Sequence, residues 1–113
     1  MLTITRKVEF DAGHRIPQHA SKCKNIHGHR YVLECTVTGR IVDTPGASDE
    51  GMILDFGSLK ALMTELVADP WDHALLVWKQ DAFLLSALEL MPNDHKTVVV
   101  SDIPTVENLA SLA

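Results

Sequence analysis

Between Leu2 and His14 the side chains alternate. Even positions carry Leu2, Ile4, Val8, Phe10 and Ala12, with Arg6 and His14 in the same series, while Thr3, Thr5, Lys7, Glu9 and Asp11 fill the odd ones. A period of two over that length specifies a half-buried strand. It also fixes a face: His14, at the strand's end, shares the apolar side. Residues 15–26 break the pattern with Pro17, His19, Ser21 and three basic residues, and read as a loop carrying Cys23. A second strand is expected from about His27 to Val42, because Tyr31-Val-Leu-Glu-Cys-Thr-Val-Thr38 is rich in β-branched and aromatic types. Alternate side chains share a strand face, so His27 and His29 project with Tyr31, Leu33, Cys35 and Val37.

Consecutive strands usually pair, and here that means antiparallel. His14 then lies at the same end of the hairpin as His27 and His29, and three imidazoles from two strands can converge. They stand at the edge of an apolar, partly desolvated surface, where neutral imidazole is a good zinc ligand. Cys23 is near enough in sequence to meet the same metal ion or substrate. The plainer alternative is two ordinary histidines at a strand start.

The remaining elements are shorter. Residues 43–51 form a polar turn, and Met52–Phe56 leads into a helix capped by Asp55 or Ser58, with Leu59, Leu62, Met63 and Leu66 as its core stripe and Pro70 as its limit. A second apolar helical run spans about Asp81 to Leu90, Thr97–Val100 is a short strand, and Thr105 caps a helix with Val106, Leu109, Ala110 and Ala113 on one side. Trp71 and Trp78 are expected in the core, Cys35 as a small apolar residue on the strand face, and His19 and His95 in polar loops without a role. Two long strands and a short one make a thin sheet, and the last helix lacks a terminating signal, so a C-terminal piece is expected to be missing.

Composition narrows the class. At 113 residues and 46% hydrophobic content the chain suits one globular domain, residues 1–113. No run approaches the roughly 18 uncharged apolar residues of a membrane helix, and the start does not resemble a signal peptide. Two cysteines without a pairing framework suit a reducing compartment, so a cytoplasmic location is expected and a Cys23–Cys35 disulfide is not. The net charge of −5 argues against a general nucleic-acid binder, yet residues 1–40 carry seven basic side chains against three acidic ones. A basic patch near the histidines would suit a small polyanionic substrate; a solvated surface is the plainer reading.

Five short motifs occur in a telling order: Phe10-Asp-Ala-Gly-His14-Arg15, Cys23-x-x-x-His27-Gly-His29, Gly51-Met-Ile-Leu-Asp55-Phe56, Asp72-His73 and Pro104-Thr105-Val-Glu107-Asn108-Leu-Ala110. Together they resemble the 6-pyruvoyl-tetrahydropterin synthase family over nearly the whole chain. The spacing of Cys23 before His-Gly-His resembles its bacterial branch, the 6-carboxy-5,6,7,8-tetrahydropterin synthases of queuosine biosynthesis.

The resemblance implies an α+β tunnelling fold (T-fold): an antiparallel sheet with helices on one face, assembled into an oligomeric barrel. A homo-oligomer of hexameric type, with active sites between subunits, follows from it. It implies a zinc-dependent lyase that converts 7,8-dihydroneopterin triphosphate to 6-carboxy-tetrahydropterin, acetaldehyde and triphosphate, with no nucleic-acid or membrane partner. The alternatives are 6-pyruvoyl-tetrahydropterin formation and a non-catalytic zinc-binding assembly subunit.

Family zinc ligands fall on His14, His27 and His29. Cys23 carries over as the general base, although a thiol without a role or a fourth zinc ligand stays open; flanking Lys22 and Lys24 favour thiolate. Asp72 and His73 match a proton-relaying pair in which the carboxylate orients the imidazole, with a capped turn as the alternative. Thr105 and Glu107 match pterin-pocket positions, with helix capping and a favourable charge in the first turn as the alternative. A further family Glu, the principal pterin anchor on a final strand, has no counterpart in this sequence.

Overall fold

The computed structural model describes all of residues 1–113. Strand β1 (Leu2–His14) and strand β2 (His27–Gly39) form a long antiparallel hairpin in continuous register from Leu2 opposite Gly39 to His14 opposite His27. Parity holds on both strands: Val8, Phe10, Ala12 and His14 are buried, while Tyr31, Leu33, Cys35 and Val37 are half-buried on the same side. Phe10 and Tyr31, directly opposite, stack with ring centroids 5.4 Å apart. The second strand stops at Gly39, three residues before the expected Val42, and Val42 instead exchanges backbone hydrogen bonds with Met52 and Gly51 to close the 43–51 turn.

Two more strands complete the sheet, β3 (Leu75–Trp78) and β4 (Thr97–Val100), in the order β2-β1-β3-β4. Both run parallel to β1, so the sheet is mixed rather than wholly antiparallel. The β1–β3 junction is tight. A Cβ at Gly13 would lie 3.2 Å from Leu75 Cδ1 and 3.4 Å from the His27 carbonyl oxygen, so glycine lets three strands meet beside His14.

Helices pack on one face of the sheet. Helix α1 (Phe56–Met63), a π-helical turn (Thr64–Ala68) and the short α2 (Asp69–Trp71) follow one another without a break, and Asp55 caps the start through the Ser58 N–H at 2.9 Å. Pro70 does not end this helix, which continues through Trp71. A proline ring would crowd the carbonyl four residues earlier, and the wider π turn just before it relieves that clash. The buried stripe is Leu59, Met63, Val67 and Ala68, packed on Val8, Phe10 and Ala12. Leu62 and Leu66, expected in the stripe, are exposed because the helix meets the sheet along its i, i+4, i+8 ridge, which Ala68 extends at the far end. Trp71 packs edge-on against Phe10 at 6.2 Å.

Asp81 caps α3 (Ala82–Leu88), and Thr105 caps α4 (Val106–Leu112). On α4, Leu109 is buried, and Val106, Ala110 and Ala113 line a small apolar groove with it against Phe10, Tyr31 and Trp71. No helix is long and apolar enough to cross a membrane.

Candidate active site

The hairpin register places three imidazoles together. His14 faces His27 directly and His29 faces Ala12, and the three rings lie 4.6, 5.1 and 4.7 Å apart by centroid. Exposure rises from buried His14 through half-buried His27 to exposed His29, so the cluster opens outward.

Hydrogen bonds fix which nitrogens face inward. His14 Nδ1 donates to the Pro104 carbonyl at 2.7 Å, and His27 Nδ1 donates to the Asn25 carbonyl at 2.6 Å. A carbonyl can only accept, so in the neutral rings both Nε2 atoms carry lone pairs, and these stand 3.1 Å apart. Two lone pairs at that distance repel unless a proton or a cation lies between them. Burial pushes the His14 imidazole below its ordinary pKa, and the neighbouring His27 and His29 add to that, although the Pro104 bond opposes it. A divalent cation satisfies both lone pairs, and a carbonyl on the far nitrogen is the usual way proteins orient metal-binding histidine. The donor set of three imidazoles suits zinc with a position left open.

The loop between the strands delivers the thiol. Cys23 sits in a short 3₁₀ turn, Lys22–Lys24, whose cap Ser21 accepts a hydrogen bond from the Cys23 N–H, and the Cys23 carbonyl accepts from the Ile16 N–H at 2.9 Å. That last bond folds the loop back on the end of β1. The result is a cleft of about 510 Å³ lined by His14, Cys23, His27, His29, Tyr31 and Thr105, among others.

Asp72 and His73 occupy the turn between α2 and β3. His73 has a φ of 57°, a left-handed conformation that costs a residue with a Cβ on the order of 1 kcal/mol. The conformation brings the neighbouring side chains together, with Asp72 Oδ2 2.9 Å from His73 Nδ1. Asp72 Oδ1 accepts from the Asp11 N–H at 3.0 Å. That bond, with the His73 contact second, holds the Asp72 carboxyl below its usual range. The pair does not line the Cys23 cleft. His73 lines an adjoining depression of about 640 Å³ with Asp11, Gly13, His29, Arg30 and His95, so the two hollows share His29 and Arg30, while Asp72 lines a separate hollow beside Arg6 and Lys60.

A model of the 6-pyruvoyl tetrahydropterin synthase family matches residues 3–113. The chain belongs to this family. Among its relatives, the 6-carboxy-5,6,7,8-tetrahydropterin synthase of Rickettsia bellii is 39% identical over 110 residues, covering 97% of this chain and 75% of the relative. Its namesake from Rickettsia conorii is 37% identical over 98% of this chain and 76% of its own length. A crystal structure of an uncharacterized protein from Wolinella succinogenes shares the fold at a TM-score of 0.70 and 18% identity, covering 97% of this chain and 79% of that one. The family is one of tetrahydropterin synthases, which gives an enzyme of lyase type working on a pterin.

Family membership leaves the candidate residues to be placed one by one. His14, His27, His29 and Cys23 share one cleft, and Thr105 lines it while its hydroxyl accepts from the Asn108 N–H at 3.2 Å as a helix cap. Glu107 is exposed in the first turn of α4 and is not among the residues lining that cleft. Three of the seven basic side chains of residues 1–40 are in ion pairs, Lys7 with Glu34, Arg30 with Asp11 and Glu9, and Arg15 with Asp81, while Arg6, Lys22, Lys24 and Arg40 are in none. Two supports had no sequence signal. The Pro104 carbonyl that orients His14 lies 90 residues away, and any residue type supplies a carbonyl. The Arg15–Asp81 pair spans 66 residues, with Arg15 Nε donating to Asp81 Oδ2 at 2.7 Å.

Proposed function

We propose that this chain is a zinc-dependent 6-carboxy-5,6,7,8-tetrahydropterin synthase. In this reading it takes 7,8-dihydroneopterin triphosphate to 6-carboxy-tetrahydropterin, acetaldehyde and triphosphate, a step of queuosine biosynthesis. The observation that carries it is the single cleft in which three convergent imidazoles meet a thiol. The names of the Rickettsia relatives favour the carboxy product.

His14, His27 and His29 would hold zinc, which when bound supplies Lewis acidity toward the substrate's side-chain oxygens. Every other role falls to the chain. Cys23, held over the cleft by its own backbone bonds, removes a proton from the substrate side chain as general base. His73 relays a proton, and Asp72 fixes its ring through Nδ1. Thr105 and Glu107 contribute to the pterin pocket. Within one chain neither Asp72 nor His73 lines the Cys23 cleft. That arrangement, taken with the family resemblance, favours a homo-oligomer of hexameric type in which active sites lie between copies, and the resemblance favours a cytoplasmic location.

The test is product analysis. Zinc-loaded protein given 7,8-dihydroneopterin triphosphate should release acetaldehyde and 6-carboxy-tetrahydropterin in equal amounts. A 6-pyruvoyl product with the side chain retained would assign the biopterin-type reaction that the matched family is named for, and absence of turnover would refute both.

A further inference from the structure

The peptide group that joins Asp72 to His73 is held at both ends. Its N–H, from His73, donates to the Asp11 carbonyl on β1 at 2.6 Å. Its carbonyl, from Asp72, accepts from Lys96 Nζ at 2.6 Å, and the same ammonium donates to the Asp69 carbonyl at 2.7 Å. Lys96 stands just before β4, and its own carbonyl accepts from the Leu75 N–H at 3.0 Å, so its backbone is fixed to the strand that follows the pair. An ammonium has three donors and no acceptor, which matches two carbonyls at the negative end of a helix.

This peptide plane sets the geometry of the pair. Its orientation gives Asp72 a ψ of 130° and His73 a φ of 57°, and with those angles the two adjacent side chains meet at 2.9 Å. Rotation of the plane to a φ below zero would relieve His73 of its left-handed strain and turn its ring away from Asp72. The strained form therefore needs bonds that the relaxed form would lose. Asp11 supplies one from the sheet. Lys96 supplies the other.

We propose that Lys96 is a positioning residue that locks the Asp72–His73 peptide plane and so holds the His73 imidazole on the Asp72 carboxylate. The proposal rests on the reading of this pair as the proton relay given above. Lys96 makes no ion pair with either member's side chain; its hydrogen bonds go to the backbone between them, and its charge also favours the Asp72 carboxylate through space.

The experiment compares zinc-loaded wild-type protein with Lys96→Met, Lys96→Arg, His73→Ala and the Lys96→Met/His73→Ala double variant. Lys96→Met should lower kcat on the order of ten- to a hundredfold, the scale of a displaced catalytic group, with KM and metal content unchanged. Lys96→Arg, which keeps a cation able to span two carbonyls, should recover most of the rate. In the His73→Ala background Lys96→Met should cost nothing further, because the group it positions is gone. An unchanged kcat in Lys96→Met, or a full additional loss in the double variant, would overturn the proposal. Should Lys96→Met not fold, Lys96→Ala, which likewise removes every donor, is read in the same way.

A second readout needs no turnover. The NMR signals of the His73 ring should move in Lys96→Met while those of His27 stay in place, and a His73 signal that does not move would overturn the clamp. If the wild type has no activity on the pterin triphosphate, or His73→Ala matches it, the proposed relay falls, and the His73 signal alone decides whether Lys96 holds the plane.

Discussion

Two carbonyls do much of the chemical selection at the histidine cluster. By taking the Nδ1 protons of His14 and His27, Pro104 and Asn25 turn both Nε2 lone pairs toward one point. Cys23 borders that point from a different element, held by its turn rather than by the strands. Cys23→Ala should therefore leave the bound metal in place and lower turnover by about 10² to 10⁴, the usual worth of a general base. Metal content by elemental analysis, read beside kcat, checks both halves; loss of metal in this variant would make the thiol a ligand. The convergence of His14, His27 and His29 was legible in the sequence, because strand parity reports on local geometry, whereas Asp72 and His73 stood out only through the family resemblance. The left-handed φ at His73 and the Lys96 bonds were not legible, since they depend on backbone groups that every residue shares.

The elements were legible in proportion to their periodicity. Strands β1 and β2 alternate cleanly over 13 residues each and appear with the expected pairing. Strand β3 has four consecutive apolar residues with Leu76 and Val77 fully buried, a pattern that alternation does not detect because both faces are covered. Helix α3 begins where expected, but the reason lies far away. Asp81, buried and capping α3, accepts from Arg15, the residue after His14, and from the Leu84 N–H. Asp81→Ala should cost about 2 to 4 kcal/mol in a denaturant titration, since it removes a cap and leaves Arg15 without its partner. The Arg15 hydrogen bonds hold the Asp81 carboxyl below its usual range. A depressed carboxylate stabilises the fold above the unfolded-state value near pH 4 and loses that contribution as pH falls through the lower folded value. Asp81→Asn should accordingly flatten the acid limb of the stability curve and leave its shape near neutrality unchanged.

At the scale of the whole molecule, the hairpin brings every candidate group to one end of the sheet. His14 closes β1, His27 opens β2, the Asp72–His73 turn opens β3 and Thr105 opens α4. The family match over residues 3–113 agrees with that layout, in which Cys23 and His73 line adjoining hollows that share His29 and Arg30. The central claim is a metal held by three imidazoles with the thiol left free to act. X-ray absorption at the zinc edge of the zinc-loaded protein tests it most directly. The account predicts nitrogen and oxygen neighbours alone, at about 2.0–2.1 Å, with the signal unchanged in Cys23→Ala; a sulfur neighbour at about 2.3 Å would contradict it.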